Sequence, residues 1–462
     1  MLESPATDIA ASVEPGRTSA MAALRYRDFR LFWFGLLVAN TGTWMQLFGQ
    51  GYLVVQLAIR DGVPQLAPLY IGLVGLARAV PGLTFGLFGG VVADRADRRR
   101  LLLVTQSLAA SSAAVFAVLT FTGRIDIVQI LMLGAINSLI FSFDAPTRQS
   151  MVPRLVPERA LMSAIGLNSA AFNGPQVIGP VMGGLLATAI SGSSATDLRG
   201  IGVLFALNAA SYLATIVALL LMSPIPVEGR RDVPVLRSIR EGLGYIRREP
   251  VVRWAILLSV FSAMLGRPYV QLLPAVAHET FQVGALELSW MLAASGLGAL
   301  AGALITASLG AVRRRGLVLL GSVLGLGALL AVYGAERSYV FGLVLLVLIG
   351  IVTMVSLGLT NALLQTRSPD QLRGRVMSVY TMTQIGLVPL GTMALGSLGT
   401  FLGVSASLLV GGIAIAGVAA YALLRAPAIR SVTSQPRHRR QHAQVHPARP
   451  AHAEARTGGA AD

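Results

Sequence analysis

The chain has 462 residues, 54% of them hydrophobic and 13% charged, with 37 basic against 21 acidic side chains and a formal net charge of +16. So much apolar surface cannot be hidden in one soluble core, and the positive charge falls in short runs between apolar stretches, which favours membrane topology over a nucleic-acid face. Every basic residue is Arg and Cys is absent, so a Lys-containing phosphate loop, a disulfide framework and thiolate chemistry are excluded.

Taken in chain order, residues 1–28 carry Glu3, Asp8 and Glu14 and no clean apolar core, so they read as a cytoplasmic tail with the first span as the insertion signal. Apolar runs long enough to cross about 30 Å of hydrocarbon at about 1.5 Å per residue fall near 31–58, 68–92, 101–121, 127–143, 161–190 and 200–222. These six form an N-terminal bundle over 29–222. The stretch 223–250 holds Pro224, Pro226 and Pro234, then Leu236, Ile239, Leu243 and Ile246 among Arg237, Arg240, Arg247 and Arg248. That spacing predicts a basic amphipathic helix on the inner surface, linking two halves. Six further runs near 251–276, 286–310, 316–334, 339–365, 375–400 and 403–424 make a C-terminal bundle over 251–426. The Arg-, His- and Pro-rich residues 427–462 are expected to be a disordered cytoplasmic tail, and its His438, His442 and His446 are not expected to bind metal because Pro436 and Pro447 oppose a helix there.

Orientation follows from arginine. With both termini inside, the cytoplasmic side collects Arg25, Arg27, Arg30, Arg95, Arg98 to Arg100, Arg148, Arg154, Arg159, the central-loop arginines, Arg313 to Arg315, Arg367, Arg373 and Arg375. The outer loops hold only Arg60, Arg124, Arg199 and Arg337, the asymmetry expected of a plasma-membrane protein. The halves also echo each other. Arg98 to Arg100 recurs as Arg313 to Arg315, and Met162-Ser163 recurs at the same offset as Met377-Ser378, as an internal duplication would produce.

The loop after the second span reads Gly90, Asp94, Arg95, Arg98 and Arg99 in the spacing G-x-x-x-D-R-x-x-R-R, and it resembles the signature loop of the major facilitator superfamily. Gly90 lets helices approach, and Asp94 is placed to pair with an Arg or cap a helix N-terminus, as a charge latch on the cytoplasmic side. The pattern's second Gly is Asp97 here, and Leu309 stands where the second half would match Asp94, which makes any latch asymmetric. In the fifth span, Gly166, Gly179, Pro180, Gly183 and Gly184 resemble the superfamily's exporter motif, with Pro175 replacing its middle Gly; small residues at this spacing allow close helix packing, and the prolines bend it. The stretch from Phe143 through Asp144, Pro146, Arg148 and Pro153, with Phe29 to Trp33 and Thr41 to Gln46, is similar to the branch containing enterobactin-type siderophore exporters and macrolide or drug efflux carriers. The resemblance implies an all-α membrane protein of twelve transmembrane helices in two pseudo-symmetric six-helix bundles.

Arg78 in the second span and Arg267 beside Pro268 in the seventh are the charges inside spans. Such charges are costly unless they face water, a partner or a ligand, so one or both are candidates to face a central cavity and favour anionic substrates; the alternative is that they snorkel or bond backbone carbonyls. Further cavity candidates are Asn40, Trp44, Gln46, Gln50, Asn137, Asn168, Gln176, Gln271, Asn361, Gln365 and Gln384, although polar groups in spans often only bridge helices. No carboxylate lies near a span centre, which leaves Asp144, Glu279 and Glu287 as candidates for the proton coupling that the resemblance implies.

The expected function is a secondary carrier exporting small organic molecules by alternating access, monomeric, in the bacterial inner membrane, with the bilayer, a small-molecule substrate and the proton as partners and no cofactor. An uptake carrier of the same fold for an anionic molecule is the alternative. An intramembrane enzyme would need a clustered constellation that no span supplies, and a channel would need a filter loop or ring of charges.

Overall fold

The computed structural model describes residues 21–192, 197–223, 235–308 and 314–432, apart from the side chains of 87–91, 93–95, 235–240 and 242. The expectations for residues 1–20, Pro224 to Pro234, Leu309 to Arg313 and the tail histidines lie outside the described residues.

Every regular element among the described residues is helical. A 3₁₀ turn at Ala22–Arg25 leads into α1 (Arg27–Arg60), followed by α2 (Ala67–Arg95), α3 (Arg98–Phe121), α4 (Ile127–Met151), α5 (Leu161–Asn173), α6 (Pro175–Ser191) and α7 (Arg199–Leu221). The linker helix α8 (Val235–Arg248) precedes α9 (Pro250–Phe261), α10 (Tyr269–Glu279), α11 (Ala285–Ser308), α12 (Arg315–Ala335), α13 (Tyr339–Arg367), α14 (Asp370–Leu402), α15 (Val404–Arg425) and the short α16 (Pro427–Arg430). Local chemistry sets several starts. Asp97 accepts from the backbone N–H of Arg99 at 2.9 Å and of Arg100 at 3.2 Å, which caps α3, and Asp126 with Gln129 forms a reciprocal capping box on α4. Proline occupies the first position of both α6 and α9, where its missing N–H costs nothing.

Among the described residues ten helical segments are long and apolar enough to cross a membrane. Two of the twelve expected spans are not among them. α1, at 34 residues, is long enough but carries Asn40, Gln46, Gln50 and Gln56 along its length, and the run 161–190 is divided at Gly174–Pro175 into helices of 13 and 17 residues. Large apolar side chains point outward all around, with Phe401, Leu424, Val340 and Leu304 each more than two-thirds exposed. This inverts the soluble pattern and suits a lipid solvent.

Within the first half of the chain α1 packs along α6 and α7, α2 along α4, and α3 between α4 and α7; in the second, α12 packs along α13 and α15, and α11 along α13. α2 meets α14 and α6 meets α11 across the midpoint of the chain.

Three expectations about element limits are corrected. The fourth span runs on through Pro146 to Met151, two turns past its expected end, because a single proline in a packed helix removes one hydrogen bond without stopping it. The seventh span is interrupted by a turn of π-helix at Ser262–Gly266, closed by Arg267 N–H donating to Ser262 O at 2.9 Å, where Pro268 cannot donate to the preceding turn. Residues 427–432, expected in the disordered tail, fold onto α12: Ile429 and Val432 are buried, and a Cβ on Gly316 would stand 1.7 Å from Ile429 O.

Candidate functional site

A cavity of about 430 Å³ lies between the two halves. It is lined by α1 (Trp44, Gln50), α2 (Arg78) and α6 (Gln176, Pro180) on one side and by the seventh span (Arg267, Tyr269, Gln271), α11 (Ser295), α13 (Thr353) and α14 (Pro389) on the other. The remaining wall is apolar, with Phe48, Val54, Ile71, Val74, Leu292 and Val388 among its residues. Volume and lining are those of a site for a drug-sized organic molecule.

α14 serves as a ruler for depth. It runs antiparallel to α2: added Cβ atoms would place Gly386 against Leu83, Gly75 against Pro389, Gly72 against Met393 and Gly396 against Pro68. It runs alongside the seventh span in the same direction, because Arg267 Nη1 donates to Gln384 Oε1 at 3.0 Å and Thr392 Oγ1 donates to Gln271 Oε1 at 3.1 Å. Arg78 lies between the Leu83 and Gly75 levels, and the Arg267 side chain reaches back from its own backbone level to Gln384, so both guanidinium-bearing side chains line the same cavity from opposite halves. The π-turn sets the second of them. Pro268 leaves Met264 O without its helical partner, and that carbonyl projects at Gly391, where a Cβ would stand 1.8 Å away; only glycine lets α14 come this close.

The buried unpaired polar atoms of the cavity wall, Gln50 Nε2 and the Thr353 hydroxyl, can both donate. The Arg78 guanidinium has no hydrogen-bond or ion-pair partner among the described residues, its stem crosses Gly134, and the buried Gln50 Nε2 beside it is also unpartnered. Among the described residues Arg267 hydrogen-bonds Gln384 alone. Tyr269 and Ser295 bond each other at 2.7 Å, while the buried Thr353 hydroxyl has no partner. No lining residue is a carboxylate.

Of the sequence candidates, Trp44, Gln50, Arg78, Gln176, Arg267 and Gln271 thus come together, with Gln384 one bond behind Arg267 and in turn bonded to Ser259 Oγ. The others do not line the cavity. Gln46 accepts from Asn208 on α7 at 2.6 Å, Asn361 and Gln365 bond each other within α13, and Asn137 and Asn168 are half-buried elsewhere. Sequence reasoning missed Tyr269, Ser295 and Thr353, hydroxyl-bearing residues in apolar spans with no local signal to set them apart.

Asp144, a candidate for proton coupling, lies in the inner part of α4. It is 2% exposed and pairs with Arg148 one turn on, while Oδ1 accepts from Thr105 Oγ1 at 2.9 Å and Gln106 Nε2 at 2.7 Å. Arg148, expected in a cytoplasmic loop, is itself buried, and its Nη1 reaches Asn40 Oδ1 at 3.4 Å, with Asn40 Nδ2 donating to Ala171 O at 2.9 Å. The extension of α4 past Pro146 makes this pair. The rim acids are caps: Glu279 Oε2 accepts from Val404 N at the start of α15 at 3.1 Å, and Glu287 Oε2 from Gly284 N before α11 at 3.1 Å.

In the signature loop the backbone of Gly90, Asp94 and Arg95 continues α2, and their side chains lie outside the described set. Arg98 Nε donates to Ser150 Oγ at 3.0 Å, and Arg99 donates to Leu219 O at 2.6 Å and Leu220 O at 2.8 Å, a cation on the C-terminal carbonyls of α7. Both hold their own half together. Asp97 sits at φ −61°, so the position has no need of glycine. In the exporter motif, Gly179 and Gly183 receive Trp44 and Phe48 of α1, and Gly184 receives Ser289 of α11 across the halves; Gly166 faces open space, and Pro180 lines the cavity.

A family model described as transmembrane secretion effector matches residues 18–451. The enterobactin exporter EntS of Shigella boydii is 28% identical over 333 residues, 71% of this chain and 77% of its own length; that of Escherichia coli is 27% identical over 332, again 71% and 77%. Among solved structures, a bacterial homolog of the human lysosomal transporter Spinster, inward-facing and unoccupied, superposes with TM-score 0.66 at 14% identity, over 87% of this chain and 97% of that one. A D-xylose-proton symporter does so with TM-score 0.64 at 14% identity, over 87% and 100%. With a cavity between two halves of a multi-pass helical protein and a family match over nearly its whole length, the chain belongs to the transmembrane secretion effector family of major facilitator transporters.

Proposed function

We propose that the protein exports small organic molecules from the bacterial cytoplasm by alternating access, as a monomer of twelve spans in two six-helix bundles. α1 and the bent pair α5–α6 bring the ten apolar spans to twelve. Equivalent pairings recur in both halves: α2 with α4 matches α11 with α13, and α3 with α7 matches α12 with α15. This reading takes 29–222 and 251–426 as the bundles and 223–250 as the inner-surface linker, and the arginine asymmetry supports both termini inside.

The observation that carries the reading is a cavity whose two walls belong to different halves and touch closely at one end. There a Cβ on Gly72 would stand 2.8 Å from Met393 Cα, one on Gly396 2.3 Å from Pro68 O, and one on Gly184 2.3 Å from Ser289 Cβ. In the proposed orientation this is the outer end. At the inner end Arg98 and Arg99 bind their own half. Export as the direction, with a siderophore, macrolide or drug-like cargo, rests on the exporter relatives and the Gly179 to Gly184 packing; the proton as driving ion rests on resemblance, with the buried Asp144 as the candidate acid.

Purified protein in liposomes, with enterobactin as probe, should show saturable movement that a pH gradient accelerates, and loss of the gene should raise the probe's level inside cells. Lowered internal probe would reverse the direction, unsaturable flux would sink the carrier reading, and indifference to the pH gradient would remove the proton.

A further inference from the structure

We infer that the cavity is an anion site, filled by a small organic anion that Arg78 and Arg267 grip from opposite halves, so that each export cycle carries negative charge outward. The inference rests on the carrier reading and adds the charge of the cargo.

Two guanidinium groups from opposite halves line one partly open, largely apolar cavity with no acid on its wall. An arginine cannot discharge itself by losing its proton, and a cation in such surroundings is costly without a counter-charge. The described protein groups do not supply one. Arg78 is unpaired among the described residues, and Arg267 has a single neutral amide. The other unsatisfied atoms, Gln50 Nε2 and the Thr353 hydroxyl, can donate as well. The missing partner is therefore an acceptor with negative charge, and guanidinium forks match carboxylate and similar planar oxyanions two bonds at a time. Trp44, Phe48 and the aliphatic wall take its apolar body.

Placement on opposite halves gives the charges a second role. Arg78 belongs to α2 and Arg267 to the seventh span, so an anion between them bridges the bundles, whereas the empty site sets two like charges against each other across the same gap. Moving the anion outward also moves charge in the direction that an inside-negative potential favours, whether or not a proton enters in exchange.

The test uses the full chain with two dyes of similar ring system, anionic carboxyfluorescein and cationic rhodamine 123. Carboxyfluorescein should quench Trp fluorescence saturably, Arg78→Gln and Arg267→Gln should each weaken it about tenfold, and Arg78→Lys and Arg267→Lys should retain most of it. Arg337→Gln, which removes an exposed loop charge, should change nothing. From loaded liposomes, an inside-negative potassium diffusion potential should speed carboxyfluorescein exit several-fold over protein-free vesicles. Tighter binding of rhodamine, carboxyfluorescein binding that survives both Gln variants, no binding of carboxyfluorescein, or exit indifferent to potential would each overturn the anion site. Saturable rhodamine or enterobactin transport alongside such a failure would leave the carrier reading standing, and transport of none of the three would remove both.

Discussion

At Asp144 two acid–base partners one helical turn apart are sealed from solvent and tied to α1 and α3 by Asn40, Thr105 and Gln106. Removing one member of a buried pair leaves the other charge stranded, which typically costs about 3–5 kcal/mol, whereas replacing both with apolar groups costs far less. Asp144→Ala should therefore lower the thermal midpoint of the purified protein sharply, and Asp144→Leu with Arg148→Met should recover most of the loss. Equal destabilisation by the double variant would show that the pair is not the source. The same pair shows what one residue's context conceals. Asp144 and Arg148 are visible in the sequence, but their spacing means a bond only if the helix continues through Pro146, and local preference argued that it stops.

The seventh span is the element whose shape matters most. Its π-turn and Pro268 turn Arg267 into the cavity and free Met264 O, and Gly391 of α14 accepts that carbonyl at a distance no side chain tolerates. Gly391→Ala should cost about 1–3 kcal/mol or more through forced displacement of α14 and depress transport with it. Gly321→Ala on the outer face of α12 meets nothing within 4 Å and should be neutral or stabilise by up to about 1 kcal/mol. Thermal unfolding of the two variants side by side checks this; equal effects would remove the packing argument. Proline marked this span in the sequence as irregular, yet the glycine that makes the irregularity tolerable lies more than a hundred residues away.

For the whole molecule, transport by rocking bundles requires the closed end to open. A Cβ on Gly399 of α14 would lie 3.2 Å from Pro68 Cβ on α2, a few tenths short of the span of roughly 3.5–4.5 Å in disulfides. Because the natural chain has no Cys, Pro68→Cys with Gly399→Cys introduces a single crosslink between halves. Oxidised, this variant should lose transport, and reduction should restore it; an oxidised, fully crosslinked protein that still transports at the reduced rate would refute rocking about that end.

The multi-pass helical character and ten of the twelve spans were legible from the chain alone, because hydropathy is a sum over neighbouring residues and needs no partner. The signature-loop and exporter-motif resemblances were legible for the same reason, being local spacings. Which polar residues meet was not. Trp44, Gln50 and Arg78 share a cavity with Arg267 and Gln271, while Gln46, Asn361 and Gln365 are spent on neighbouring helices or on their own. A helix exposes polar groups around its whole circumference at 3.6 residues per turn, and only the rotation and depth at which the helices pack decide which of those groups face the gap between the halves.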